Sequence, residues 1–150
     1  AYRRQRQMCI RDRLCKLPRD AEGYMGRLRC VQEISAVTAA CMMVKTSVFK
    51  AVGGFDEELK VAFNDIDLCM KVRKYGVKIV FTPYAELYHY ESKSRGMEDT
   101  PEKQLRFSRE VNCFRRKWER ELLKGDPYYN PNLTLNNTDC SLRKQEKNGD

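Results

Sequence analysis

Two aspartates, Asp65 and Asp67, lie in the stretch NDID at residues 64–67. Carboxylates in this position can act as general bases or can interact with the positive end of a helix. The pattern predicts a helix over residues 65–75, and at about 100° per residue the two aspartates fall on different faces of it. Each carboxylate therefore needs its own explanation.

Asp67 has a structural explanation. It falls on the side opposite the apolar face, beside Lys71 and Lys74. A carboxylate in the first helical turn compensates the helix dipole, and an i,i+4 pair with Lys71 adds to this, together about 0.3–1 kcal/mol. We therefore expect Asp67 on the solvent-facing side.

Asp65 falls on the face that should be buried, together with Leu68, Cys69, Val72 and Tyr75. An unpaired buried carboxylate is costly, so two interpretations remain. Asp65 accepts backbone N–H bonds or pairs with a buried cation, or it faces a cleft as a general base. A carboxylate can activate a hydroxyl only while a good leaving group departs, as in a sugar nucleotide.

Composition excludes several classes of protein. The chain has 150 residues, 41% hydrophobic and 33% charged, which fits one soluble globular domain, and no apolar run is long enough to cross a bilayer. Its seven cysteines form no CxxC pair, and His89 is the only histidine. This pattern favours reduced thiols over a disulfide framework or a zinc site.

The first residues differ from the rest. Residues 1–30 carry +6 of the net charge of +8, so this basicity says little about the partner of the domain. Within them, MCIRD can be encoded by ATG TGT ATA AGA GAC, which resembles a transposon end used to prepare DNA libraries. We interpret residues 1–13 as translated library sequence, arbitrary or disordered; a genuine basic arm is the alternative.

The remaining chain alternates strands and helices, so the fold class is α/β. Small and β-branched residues predict a buried strand over 35–44, followed by a helix over 45–54 that Thr46 or Ser47 caps. The 65–75 helix has Asn64 as its N-cap and Gly76 as its stop. The later predicted elements are a strand over 77–83, an extended segment over 85–91, a long helix from Pro101 to Gly125 capped by Thr100, and a frayed polar tail over 143–150.

Two stretches, AACMMVKTSVFKAVGGFDEEL and FNDIDLCMKVRKYGVKIVFTPYAELYHYES, resemble the C-terminal half of glycosyltransferase family 2. The resemblance runs from about Gly23 to Leu142, and the order GGFDE, NDID, strand, histidine makes it specific. It implies an inverting enzyme with a Rossmann-like, A-type glycosyltransferase fold. The later stretch from Arg95 to Leu135 looks like the tail of bacterial members that build cell-surface polysaccharides, including rhamnose-containing ones.

The resemblance implies roles for individual residues. Asp65 matches the catalytic base, and His89 matches a histidine that reaches the metal–diphosphate. The resemblance also implies that Glu91 and Ser92 shape the rim of the site that this histidine reaches. The implied cofactor is a divalent metal, Mn²⁺ or Mg²⁺, and the implied acceptor-binding residues are Gly53, Gly54, Phe55, Asp56, Glu57 and Asn64.

One departure limits the resemblance. Family members carry upstream nucleotide-binding strands and a DxD-type motif, but no Asp-x-Asp precedes Asp65 here. We therefore expect residues 14–142 to be the acceptor-side half of the domain, a partial A-type fold lacking most of the nucleotide-binding sheet and inactive alone. The parent would transfer sugar from a nucleotide-sugar donor to a glycan or lipid-linked acceptor, in the cytoplasm or at the inner face of the plasma membrane.

Two other function classes remain. The long helix carries bases that could bind nucleic acid, but glutamates separate them and its aromatic residues lie in the apolar stripe, so no specific nucleic-acid partner is expected. Peripheral contact of the same basic face with anionic lipid is the other alternative, although large exposed apolar residues are lacking there. The bases concerned are Arg106, Arg109, Arg115, Arg116, Lys117 and Arg120.

Overall fold

The computed structural model describes residues 22–87, 100–134 and 140–143. Several predictions made from the sequence concern residues outside these ranges and stay predictions. They are the predictions for 1–13, His89, Glu91, Ser92 and nearly all of 143–150.

Helices account for most of the regular structure in the described ranges. The helices are α1 (Thr46–Ala51), α2 (Asn64–Lys74) and α3 (Pro101–Lys124), and the strands are β1 (Gln32–Glu33) and β2 (Val80–Phe81). Two 3-10 turns span Tyr24–Arg29 and Ala39–Cys41.

Helix α3 follows its sequence pattern closely. Thr100 is the N-cap, and its hydroxyl accepts the N–H of Lys103 at 3.4 Å. Pro101 opens the helix, where its missing N–H costs nothing, and Gly125 ends it with a φ of 79°. The predicted bounds are confirmed, and the apolar stripe is buried at Val111, Phe114 and Trp118.

Helix α1 was predicted correctly except at its start. Lys45, with extended backbone and no side-chain capping bond, is the N-cap instead of Thr46 or Ser47. Helix α1 begins at Thr46, so the hydroxyl groups of Thr46 and Ser47 lie within its first turn and not at the capping position. Gly53 and Gly54 follow it with φ values of 77° and 63°, as the predicted stop requires.

The described sheet is much smaller than the sequence predicts. Strands β1 and β2 pair antiparallel, with Gln32 opposite Phe81 and Glu33 opposite Val80. The strand predicted over 35–44 is wrong, because this segment is non-regular and contains the Ala39–Cys41 turn. A strand needs a hydrogen-bonding neighbour, and the described β2 pairs only with the residues before this segment.

The core lies between α2, α3 and the segments that precede α2. The ring of Phe63 stacks on that of Phe114 with centroids 5.0 Å apart. Burial of these side chains is the main stabilising term. The buried cluster comprises Ala36, Leu59, Phe63, Ile66, Cys69, Met70, Val111, Phe114 and Trp118.

Several large apolar side chains are exposed. Met43 is 99% exposed, and Tyr84, Leu87 and Val80 are also exposed. Met43, Val80 and Leu87 line one groove, and exposed apolar surface of this kind is typical of interaction sites. None of the helices in the described ranges combines the length and apolar character that a membrane span requires.

Candidate active site at the start of helix α2

Asp65 is held in place by an unusual helix start. The helix begins at Asn64, and Phe63 is the N-cap with left-handed backbone at a φ of 64°, so the prediction of Asn64 as N-cap is wrong. Burial of the Phe63 ring against Phe114 offsets the cost of this conformation. Asn64 Oδ1 instead accepts the N–H of Asp65 at 2.7 Å.

The carboxylate of Asp65 accepts two backbone hydrogen bonds. Oδ1 accepts the N–H of Ile66 at 2.9 Å, and Oδ2 accepts the N–H of Ala39 at 3.2 Å. The side chain is half-buried. Of the two structural explanations left open by the sequence, acceptance of backbone N–H bonds is therefore the one that the structure shows.

A second contact fixes the segment that reaches Asp65. The N–H of Val37 lies 3.5 Å from Cys69 Sγ, and the Cys69 thiol lies 3.7 Å from the carbonyl oxygen of Val37. Cys69 follows Asp65 by four residues and so lies on the same face of α2. Residues 37–39 thus run along this face, attached at both ends.

This face of α2 borders an open groove of about 880 Å³. Asp65 is not itself a lining residue, but it accepts the N–H of Ala39, which is, so its carboxylate lies next to the rim of the groove. Most of the lining is apolar. The lining comprises residues 37–45 and Val48, Leu68, Cys69 and Val72 of α2, and residues 77–82, Ala85 and Leu87.

Asp67 is completely buried, with 0% of its surface exposed. Its ion pair with Lys71, at 2.9 Å, confirms the predicted pair. Its placement on a solvent-facing side is wrong, because α3 covers that side of α2. From α3, Trp118 Nε1–H donates to Asp67 Oδ1 at 2.8 Å, and Lys117 Nζ lies 2.8 Å from the same oxygen.

The 53–57 loop contacts the same lysines. Lys71 Nζ donates to the carbonyl oxygen of Gly54 at 3.0 Å. Lys117 forms an ion pair with Asp56, and its ammonium holds the pKa of that carboxyl below its usual value. Asp56 Oδ1 also accepts the N–H of Glu58 at 3.0 Å.

Two other residues of the loop point outward. Phe55 is half-exposed and meets Phe49 edge to face, with ring centroids 5.6 Å apart. Glu57 is exposed. Acceptor binding by Gly53, Gly54, Phe55, Asp56, Glu57 and Asn64 stays a prediction, with Phe55 and Glu57 the most accessible of the loop side chains.

Sequence reasoning missed polar contacts that α3 makes with the rest of the chain. Lys117 is exposed, as expected of the solvent-facing bases, but its ammonium also contacts Asp56 and Asp67. Glu110 is only 3% exposed and accepts the N–H of Ala62 at 2.6 Å. Trp118 gave a signal that could have been used, since a buried indole N–H usually requires an acceptor.

The described residues contain no cluster of three or more His, Cys, Asp or Glu side chains suited to holding a metal ion. His89, for which a metal-binding role was predicted, lies outside these residues. The predicted Mn²⁺ or Mg²⁺ cofactor therefore stays a prediction.

Comparison with known proteins gives three informative similarities. Over 126 residues, or 83% of this chain, it is 56% identical to the uncharacterized protein y4gI of Sinorhizobium fredii. Over 115 residues, or 77% of the chain, it is 39% identical to the O-antigen biosynthesis protein RfbC of Myxococcus xanthus. Over 62 residues, or 41% of the chain, it is 36% identical to the N-acetylglucosaminyl-diphospho-decaprenol L-rhamnosyltransferase of Mycobacterium tuberculosis.

These relatives are much longer than the matched segments. The chain spans 14% of the Sinorhizobium protein, 9% of the Myxococcus protein and 20% of the rhamnosyltransferase. No protein-family model matches the chain, and no solved structure matches it. One of these relatives is named for O-antigen biosynthesis and another for rhamnosyl transfer.

Proposed function

We propose that this chain is the acceptor-side part of an inverting glycosyltransferase of family 2, with Asp65 as the general base. It would act on a nucleotide-sugar donor and a glycan or lipid-linked acceptor. The observation that carries the proposal is the Asp65 carboxylate, held by the N–H groups of Ala39 and Ile66 next to the rim of the apolar groove. Relatives named for O-antigen biosynthesis and rhamnosyl transfer support it.

The chemistry requires one correctly aimed carboxylate. Asp65 takes the proton of an acceptor hydroxyl while the hydroxyl oxygen bonds to the anomeric carbon of the donor. The bond from that carbon to the nucleoside diphosphate breaks, and its electron pair leaves with the diphosphate. Attack from the opposite side inverts the anomeric configuration.

The contacts of Asp65 suit this role because they fix orientation without surrounding the carboxylate. Two backbone N–H groups set the plane of the carboxylate, and the half-buried side chain remains reachable. Fixed geometry of this kind supplies part of the rate enhancement, because the entropic cost of orienting the base toward the hydroxyl is met before the reaction.

A divalent metal on the diphosphate would stabilise the departing charge in the complete enzyme. The described residues contain no group of three or more side chains suited to hold it, and the predicted ligand His89 lies outside them.

We also propose that the groove is where the rest of an A-type glycosyltransferase sheet packs in a longer polypeptide. The apolar residues Met43, Val80 and Leu87 support this, because they line the groove and their side chains are exposed. The greater length of the relatives supports it as well. The isolated segment would then be inactive.

The test is a fusion of residues 14–150 to the nucleotide-binding half of a related transferase, assayed for sugar transfer with Mn²⁺. Asp65→Asn should lower kcat by about 10²–10⁴-fold with unchanged donor affinity, as expected for loss of a general base. Glu119→Gln, which alters an exposed carboxylate on α3, is the matched control and should leave kcat unchanged. Near-normal kcat in Asp65→Asn would make Asp65 a structural residue.

A further inference from the structure

Asp67, which is fully buried, lies at the centre of a charge cluster that the proposed chemistry does not use. We call it the Asp67 cluster, formed by Asp56, Asp67, Lys71, Lys117 and Trp118. Its two carboxylates and two ammonium groups balance in charge, which offsets the cost of burying Asp67. The Trp118 N–H alone would leave the buried carboxylate with one partner, and the two lysines that complete its surroundings also reach the 53–57 loop.

The two lysines connect Asp67 to the 53–57 loop. Lys71 lies 2.9 Å from Asp67 and donates to the Gly54 carbonyl oxygen at 3.0 Å. Lys117 lies 2.8 Å from Asp67 and forms its other ion pair with Asp56. Each ammonium group thus bridges the buried carboxylate and a different point of the loop.

The geometry of α3 favours this double contact. Adjacent residues on a regular helix point about 100° apart, yet Lys117 and Trp118 both reach Asp67. The backbone departs from helical values at Trp118, with φ −117° and ψ 20°. The departure from the helix lies at the point where these two side chains converge.

Asp67 follows Asp65 by two residues on the same helix, about 3 Å further along its axis. The proposed base and the buried carboxylate therefore belong to one rigid element. A loop bound to Asp67 is held at a fixed position relative to Asp65.

We propose that Asp67 is a positioning residue that, through Lys71 and Lys117, fixes the 53–57 loop relative to Asp65. The inference rests on the proposed function, since the loop is the predicted acceptor-binding segment. Asp67 touches no substrate; it sets the distance between the acceptor and the base.

Lys117→Met is the informative variant, because it breaks one of the two bridges, the one to Asp56, and leaves the Asp67 contacts with Lys71 and Trp118 in place. Lys117 is 31% exposed in its side chain, so a methionine can be accommodated. The matched control is Lys78→Met, which breaks the exposed pair of Lys78 with Glu33. Lys117→Arg keeps the charge and should restore the wild-type behaviour.

The first measurement is amide hydrogen exchange in the 150-residue chain. The reporters are the N–H of Glu58, which donates to Asp56 Oδ1 at 3.0 Å, and the N–H of Leu59, which donates to the Asp56 carbonyl oxygen at 3.1 Å. Lys117→Met should speed their exchange at least about tenfold relative to Val111 and Phe114 in α3, whereas Lys78→Met should not. Equal effects of the two variants, or exchange at Glu58 and Leu59 within about twofold of the unmodified chain, would overturn the proposal.

The second measurement uses the fused transferase. Lys117→Met should raise the acceptor KM at least about fivefold with an unchanged donor KM, and Lys117→Arg should reverse this rise. An unchanged acceptor KM alongside faster loop exchange would overturn the positioning role. If the unmodified fusion transfers no sugar, the transferase proposal fails, and the exchange result still decides whether the bridge through Lys117 holds the loop.

Discussion

The indole N–H of Trp118 donates a 2.8 Å hydrogen bond to the carboxylate of Asp67, which precedes it by 51 residues. This bond joins α3 to α2 inside the core, where neither group can be solvated. It also explains why the two aspartates of NDID differ, since Asp67 is the buried one and Asp65 remains accessible next to the rim of the groove.

Asp67→Asn should destabilise the chain strongly. The substitution removes the carboxylate that pairs with Lys71 and one of the two that pair with Lys117, and breaking a buried ion pair costs about 3–5 kcal/mol. We expect the lower end of this range, because the two lysine side chains are 18% and 31% exposed. Urea unfolding gives the free energy of unfolding.

Asp65→Asn is the matched control for Asp67→Asn, because Asn retains one acceptor oxygen and the site is half-buried. Its free energy of unfolding should fall by no more than about 1 kcal/mol. Equal destabilisation by the two variants would contradict the different environments described for the aspartates.

Trp118→Phe should lower the free energy of unfolding by about 1.5–3 kcal/mol, the usual value for a hydrogen bond to a charged group. The phenyl ring retains most of the buried apolar surface, so the loss reports mainly on the hydrogen bond to Asp67. Leu123→Ala, on the exposed side of α3, should change the free energy by less than about 0.5 kcal/mol. A Trp118→Phe effect as small as that of Leu123→Ala would show that the bond contributes nothing.

Stability should decrease at acidic pH in a way that depends on Lys117. The Lys117 ammonium lowers the pKa of Asp56, so the unfolded chain binds more protons than the folded one as pH falls below the ordinary value of 3.8. The contribution of the pair is therefore present above that pH and is lost as pH falls through the lowered pKa. Lys117→Met should flatten the pH dependence of the unfolding free energy in this window, and an unchanged slope would contradict it.

Gly53 and Gly54 form a matched pair for testing the loop. Both have positive φ, so an alanine costs about 1–2 kcal/mol at either position. A Cβ on Gly54 would also lie 3.0 Å from two ring atoms of Phe49, whereas a Cβ on Gly53 would meet nothing within 4 Å. Gly54→Ala should therefore destabilise the chain more than Gly53→Ala in thermal unfolding; the reverse order would contradict the packing of Phe49 against the loop.

The parts of the fold that the sequence predicts well depend on local signals. Thr100, Pro101 and Gly125 mark both ends of α3, and its period of three to four residues identifies the buried stripe. The strand predicted over 35–44 failed, because a strand depends on a neighbour that the local sequence does not specify. A composition that suits burial does not by itself determine a strand.

The candidate site was only partly predictable for a similar reason. A helical wheel assumes one buried face, but α2 is buried from Ile66 through Met70 because α3 covers its second side. Asp67 was therefore assigned to solvent. The contact of Asp65 with Ala39 also joins residues 26 positions apart, and no local pattern predicts it.

Ala39→Pro tests that contact, because within residues 22–87, 100–134 and 140–143 the Ala39 N–H is the one that reaches the Asp65 carboxylate from outside α2. The backbone should accept proline: Ala39 is the first residue of a 3-10 turn, and Thr38 before it has φ −73° and ψ 143°. We expect the free energy of unfolding to change by less than about 1 kcal/mol. In the fused transferase kcat should fall about tenfold, because a carboxylate that has lost one of its two backbone bonds is less well aimed.

Ala39→Gly is the control for this variant, since it keeps the N–H and removes only the methyl group. Its kcat should stay within about threefold of the unmodified enzyme. If Ala39→Pro and Ala39→Gly lower kcat equally, the Ala39 methyl in the groove matters and the hydrogen bond does not. If neither lowers it, the orientation of Asp65 depends on the Ile66 N–H and the start of α2 alone.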